Sequence, residues 1–208
     1  MITIKNNLLI AGAITCFSII APAWAMECKQ AALLGRLDDL HKALLAGDPV
    51  NGAVPNNDRL NSGRTALHLA SAKGNTDCVN MLIETKGANV NATDATGCTP
   101  LHEAAYNGSV ACILSLADAD ADINARETEH GGLTPLHLAV DQGHEPAVTI
   151  LVALGANPTL KVEDCTALDL ASKDQKNAMR QAIRRGLEMR KTLLSQTQQA
   201  QCKTEKKA

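Results

Sequence analysis

Four near-identical hexapeptides recur along the chain: Thr65–Ala70 (TALHLA), Thr99–Ala104 (TPLHEA), Thr134–Ala139 (TPLHLA) and Thr166–Ala171 (TALDLA). Their threonines stand 34, 35 and 32 residues apart. A unit of that size is one supersecondary element. It cannot bury an apolar face by itself, so each copy has to stack on the next. The chain is therefore constrained to an array whose core runs continuously through neighbouring units.

The residues of each unit have physical roles at fixed offsets. Thr sits at a helix N-cap, where its side chain meets free backbone N–H groups. Pro100 and Pro135 follow at the first helical position, where a missing N–H is harmless. Leu67, Leu101, Leu136 and Leu168 face the core, and Ala70, Ala104, Ala139 and Ala171 let neighbouring helices approach. Gly74, Gly108 and Gly143 end the first helix through a left-handed cap. Second helices follow (CVNMLI, CILSLA, AVTILV) and stop at Gly87, Asp120 and Gly155. ANVNA and ADINA then lead into turns whose Gly63, Gly97 and Gly132 can take positive φ.

Run backwards, the same frame finds an earlier copy at residues 35–51, with Met26 in the threonine's place. This gives five units, at about 26–58, 59–92, 93–127, 128–160 and 161–185. The terminal units depart from the pattern, as units with one neighbour can. In the last, Asp164 replaces the turn Gly, Gln175 the helix-stop Gly and Asp169 the His. The first finger, residues 52–64, is longer than the period requires, and residues 126–132 carry a smaller excess.

T-P-L-H-x-A at a period near 33 resembles the ankyrin-repeat family. The resemblance covers most of the chain from Met26 onward. It implies an all-α solenoid of helix-turn-helix repeats with β-turn fingers, binding proteins on a concave face made by fingers and first helices. By the same resemblance, the contact positions lie just before each Thr and seven and eight residues after it. Here these are Arg64, Ala72 and Lys73; Cys98, Tyr106 and Asn107; and Leu133, Asp141 and Gln142. Arg126, at a finger base, lies on the same side. The family's His braces the adjacent hairpin. The last unit has no next hairpin, so Asp169 reads as an end-cap adaptation and not as a catalytic acid.

The two ends differ from the array. Lys5, the apolar run Leu8–Ala21 and the small residues Ala23 and Ala25 have the order of a secretory signal peptide cleaved after Ala25. That reading places the protein in the periplasm or outside the cell. Its removal would leave Tyr106 as the sole aromatic residue, so the core has to be aliphatic, which argues against a β-sandwich or barrel. At the other end, residues 178–194 form a helical stripe (Met179, Ala182, Ile183, Leu187, Leu194) with a basic opposite face. Gly186 reads as a break there. Residues 186–208 read as a basic helical extension that passes into a polar, disordered tail. Residues 26–172 carry 9 basic and 19 acidic side chains, and residues 173–208 carry 10 and 3. The basic charge is thus off the folded body, unlike a nucleic-acid footprint.

Six His and seven Cys raise the question of metal or thiol chemistry. His68, His102 and His137 hold equivalent places in successive units, so they stand roughly 10 Å apart, whereas zinc ligands converge on one point. Cys78 and Cys112 are likewise equivalent and too far apart to bridge; they read as buried apolar residues, as does Cys28. Cys98 and Cys165 each precede a repeat Thr on fingers two units apart, and Cys202 is in the tail. No nucleophile–base order, carboxylate pair or phosphate loop supports an enzyme, and no cofactor is expected. The expectation is a monomeric, non-enzymatic adaptor that binds a protein partner. The alternatives are an inhibitor or immunity protein, an exported effector, or a membrane-surface scaffold using the basic helix.

Overall fold

In the computed structural model the described residues are 28–53, 63–84, 87–129, 131–171 and 175–205. The proposed leader and most of the long first finger lie outside them. The helices come in pairs: α1 (28–34) and α2 (Leu37–Leu45), α3 (Ala66–Lys73) and α4 (Thr76–Glu84), α5 (Pro100–Tyr106) and α6 (Val110–Asp118), α7 (Pro135–Asp141) and α8 (Glu145–Leu154). A two-residue hairpin follows, β1 (Lys161–Val162) with β2 (Cys165–Thr166), register Val162 to Cys165. The fifth pair is α9 (Ala167–Leu170) and α10 (Lys176–Glu205).

First helices stack on first helices (α3 on α5 on α7 on α9) and second on second (α4 on α6 on α8). The core is a set of rows repeated from unit to unit. Leu67, Leu101 and Leu136 are buried, as are Ala70, Ala104 and Ala139. On the second helices, Val79, Ile113 and Val148 form one row and Leu82, Leu116 and Leu151 another, all fully buried. Cys78, Cys112 and Ala147 form a third. The two cysteines thus serve as small apolar residues, and Cys28, Cys78, Cys98, Cys112 and Cys165 are all free thiols.

Three joints lock successive units, and each uses side chains at repeated offsets. At the first helix, Thr and His form a reciprocal capping box in units two to four. His68 Nδ1 accepts from the Thr65 N–H at 3.1 Å, so that nitrogen carries no proton. Nε2 therefore holds it and donates to the Cys98 carbonyl of the next finger at 3.0 Å. His102 repeats this on the Leu133 carbonyl at 3.1 Å. His137 keeps the box, but among the described residues its buried Nε2 makes no hydrogen bond of good geometry, and the Leu160 carbonyl of the next finger only opposes in part the effect of burial on its pKa. Burial lowers the basicity of all three rings. At Asp169 the acid accepts from the Thr166 N–H at 2.9 Å and from its hydroxyl at 2.7 Å, preserving the cap with a side chain too short to reach onward.

The second joint closes the C-terminal ends of first helices, whose last carbonyls are otherwise unpaired. Asn75 Nδ2 donates to the Ala32 and Leu33 carbonyls at 2.8 and 3.1 Å, and His144 Nε2 to the Tyr106 carbonyl at 3.0 Å. Gly108 makes the second of these possible: φ is +70°, and a Cβ there would lie 2.6 Å from the His144 ring. The third joint is an asparagine ladder. Asn51, Asn91 and Asn124 each accept a backbone N–H of the following unit (Asn89, Asp122 and Asn157, 2.8–2.9 Å) and donate to the carbonyl that ends its second helix (Gly87, Asp120 and Gly155). Asp120 takes the left-handed φ of +61° in the place of a Gly.

Two expectations about the C-terminal end fail. Gly186 is no break, because α10 runs straight through it and on to Glu205, so the boundary set at 185 falls inside one helix and the polar tail is helical to residue 205. Gly186 is instead a close-approach residue: a Cβ would meet the Thr149 carbonyl oxygen at 2.5 Å and Val152 at 2.7 Å. Gln175 lies against Gly143 and Arg190 against Gly155, so α10 runs parallel to α8 as the second helix of unit five. Met179 and Ala182 are buried against the stack, while Leu187, Met189, Leu193 and Leu194 are exposed. Thirty residues of helix extend about 45 Å, roughly three times the length of α8.

Candidate functional site

The fingers and the C-terminal ends of the first helices are the parts that the resemblance to ankyrin repeats places on a concave side. Of the ten candidate residues Ala72 is half-buried, and the other nine fall into two groups. Arg64, Cys98 and Leu133 are absorbed by the scaffold. The Arg64 Nε lies 3.5 Å from Asp94 Oδ2, and its Nη2 donates to Glu103 Oε1; only 23% of the side chain is exposed. The guanidinium thus ties its own finger to the next one and to α5. Arg64 is therefore only partly available to a partner. Cys98 and Leu133 are half-buried and offer their carbonyls to the His struts. Burial pushes the Cys98 thiol up to about 11, so it is not the reactive group that its finger position suggests.

The finger bases are held by acids that the motif frame did not single out. Asp94 Oδ1 accepts from the Thr96 and Cys98 N–H groups at 2.9 and 3.0 Å and from the Thr96 hydroxyl at 2.6 Å. Burial acts to raise its pKa, but these bonds and His68 outweigh burial and hold it below the ordinary carboxylate value. Glu127 is buried in the matching place. Its two oxygens accept from Glu129, Gly132 and Leu133 N–H groups at 2.8–3.2 Å, which closes the longer turn created by the extra residues. Glu103 is raised by burial, against the opposing pull of Arg64. In the sequence it showed as the polar exception at a position that is Leu69, Leu138 and Leu170 in the other units.

The second group stays available. Lys73, Tyr106, Asn107, Asp141 and Gln142 are exposed at the ends of α3, α5 and α7. Tyr106 is 52% exposed, and it is the sole aromatic among the described residues. The Gln142 amide donates to Asp141 at 2.9 Å, which fixes the polar end of the strip. Arg126 is exposed one finger over, its Nη1 3.5 Å from the Lys161 carbonyl. Nothing in this arrangement pairs a nucleophile with a base. Among the described residues no group of three or more His, Cys, Asp or Glu is placed to hold a metal, and no helix is long and apolar enough to cross a membrane.

Comparison with known proteins agrees with this architecture. A profile described as ankyrin repeats in three copies matches residues 29–127, and a single ankyrin repeat matches 131–162. An ankyrin repeat protein of fowlpox virus (strain NVSL) is 42% identical over 106 residues, 50% of this chain and 31% of its own length. The human ankyrin repeat and SOCS box protein 3 is 38% identical over 106 residues, 50% of this chain and 20% of its own. The tyrosine-protein kinase Shark of Drosophila melanogaster is 38% identical over 96 residues, 46% of this chain and 10% of its own. The chain spans about a third or less of these relatives, so the likeness concerns the repeats and not the activities of the whole proteins.

Proposed function

Because the chain belongs to the ankyrin-repeat family, whose repeats generally mediate protein–protein interaction, we propose that it is a non-enzymatic, monomeric adaptor that holds a protein partner on its concave face. The observation that carries this is Tyr106: a half-exposed aromatic at the centre of the array, in a chain that spends no other aromatic on its described fold. Tyrosines in such settings commonly concentrate interface energy. Lys73 on one side and Asp141 on the other supply charges for orientation. The N-terminal sequence supports an extracytoplasmic site of action for this adaptor.

A photo-crosslinking residue at Asn107, introduced in the native host, should capture the partner, whereas the same residue at Leu114 on the outer side of α6 should not. With the captured partner in hand, Tyr106→Ala is expected to weaken binding at least tenfold, about 1.4 kcal/mol, with an unchanged melting temperature. Unaltered affinity together with a lower melting temperature would make Tyr106 a packing residue and leave the concave reading without its anchor.

A further inference from the structure

Eight large apolar side chains are exposed among the described residues, and four of them, Leu187, Met189, Leu193 and Leu194, fall within eight residues of α10. Single exposed residues of this kind are ordinary, but a cluster marks a contact surface. Every side chain of α10 from Leu187 to Gln198 is exposed. Met189 and Leu193 continue the buried line of Met179, Ala182 and Gly186 to and past the end of α8, which Arg190 marks by lying against its C-cap Gly155. Leu187 and Leu194 belong to a second line: Arg180, Arg184, Leu187, Lys191 and Leu194, at steps of four, three, four and three residues. Such steps keep to one side of a helix, here about a third of a turn from the buried line. All five side chains are exposed, over about 21 Å of helix. From Lys176 to Lys191 the helix carries six basic residues and one acid, Glu188, whose pair with Lys191 at 2.9 Å is open to solvent on both sides.

Cations and leucines sharing one exposed line suit a surface that is charged above and apolar below. The stems of Arg and Lys can lie along apolar matter while their heads stay in a polar layer. An anionic bilayer has that profile, with phosphates at the surface and acyl chains beneath. The line is straight and sits on the last helix of the stack, and among the described residues no element packs over it, so a flat surface can reach it along its length. The rest of the chain sets the orientation. Residues 26–172 carry 9 basic and 19 acidic side chains, and an anionic surface repels that body while it attracts α10. We propose that α10 docks the protein on an anionic lipid surface, with Arg180, Arg184 and Lys191 on lipid phosphates and Leu187 and Leu194 at the acyl boundary. The helix lies on the bilayer and does not cross it, being too polar to span. This goes beyond the concave reading and does not depend on it, because Lys73, Tyr106 and Asp141 stand on first helices and α10 is a second helix.

The test is flotation with vesicles, using the chain as its native host processes it. Vesicles of phosphatidylcholine with about 30% phosphatidylglycerol, an anionic lipid, should be bound at least about tenfold more tightly than pure phosphatidylcholine. Salt at about 0.5 M should abolish the difference. The pair Arg184→Glu and Lys191→Glu, and separately the pair Leu187→Gln and Leu194→Gln, should each lower binding at least about tenfold. All four positions are exposed, so the fold is not at stake. Leu45→Gln, which removes a still more exposed leucine from α2, should change nothing. Equal binding of both vesicle types, a loss with Leu45→Gln as large as with the leucine pair, or anionic binding that ignores the leucine pair would overturn the inference. So would failure to float; if the charge-reversed variant then loses an acidic protein that co-purifies from the host, the line belongs to that protein and not to lipid.

Discussion

At the residue scale, the three struts form a natural experiment. His102 makes its box and a well-formed bond to the next finger, while among the described residues His137 makes the box and at best a poorly aligned contact with the Leu160 carbonyl. A buried donor without an acceptor already costs about 1–3 kcal/mol. Removing it therefore forfeits less. His102→Ala is expected to destabilise the protein more than His137→Ala, by about 1 kcal/mol, as read from denaturant midpoints. Equal losses would mean that the strut bond contributes nothing. The same rings set a pH dependence. Burial lowers their folded pKa values below the ordinary 6.5, so the unfolded chain takes up protons first on acidification. The stability they give is whole above that value and drains away as pH falls through it toward the lowered folded values. Melting temperature should decline in that window, and less steeply in the His102→Ala variant. Much of this scale was legible: the Thr–His spacing and the buried cysteines follow from the repeat frame. The fate of Arg64 was not, because its carboxylate partners, Asp94 and Glu103, are both on the next unit. A motif position says where a side chain starts, not which long-range charge captures it.

At the element scale, the instructive case is α10. Propensity marks a mid-helix Gly as a weak point, and the polar run after Leu194 has little to bury. The helix nonetheless continues, because at Gly186 the contact with α8 requires the missing side chain and packing overrides propensity. The stripe Met179, Ala182 and Ile183 pointed to the correct face, but Leu187 stays exposed beside the last turn of α8 and Leu194 lies beyond its end. Sequence periodicity gives a face without saying how long the neighbour is. Gly186→Val should push α10 off α8, because both the Thr149 carbonyl and the Val152 side chain stand in its way. The expected loss is about 1–3 kcal/mol, with increased amide exchange confined to α8 and α10. Unchanged stability would show that α10 is not seated as described. The asparagine ladder was visible as a recurring letter in ANVNA and ADINA. Its double bond to the next unit becomes clear only when the carbonyl ending each second helix is placed beside it.

At the scale of the whole molecule, free thiols are spread along the stack and report its local stability. Arrays open from their ends, since terminal units have one neighbour. Cys165 is exposed on the last finger and should be alkylated at once. Cys98, raised to about 11, should react slowly in the native state. Cys28, in the first unit and also raised to about 11, should require opening of that end, and Cys112, in the middle, should react last. Mass spectrometry along a labelling time course reads this order directly. Reaction of Cys112 ahead of Cys28 would mean that the array does not fray from its termini. The overrun of α10 has a further consequence for growth. A solenoid is an open lattice, and each end is a template on which another layer could crystallise. In the second to fourth pairs the chain doubles back after the second helix and lays down the next finger. In the fifth it runs on as helix to Glu205, past the level at which α8 ends. The outward side of the last helix carries the exposed cations Arg180 and Arg184 where an interior helix would carry a dry seam. That charged side is a poor template for a further layer, as an impurity on a crystal face slows its growth.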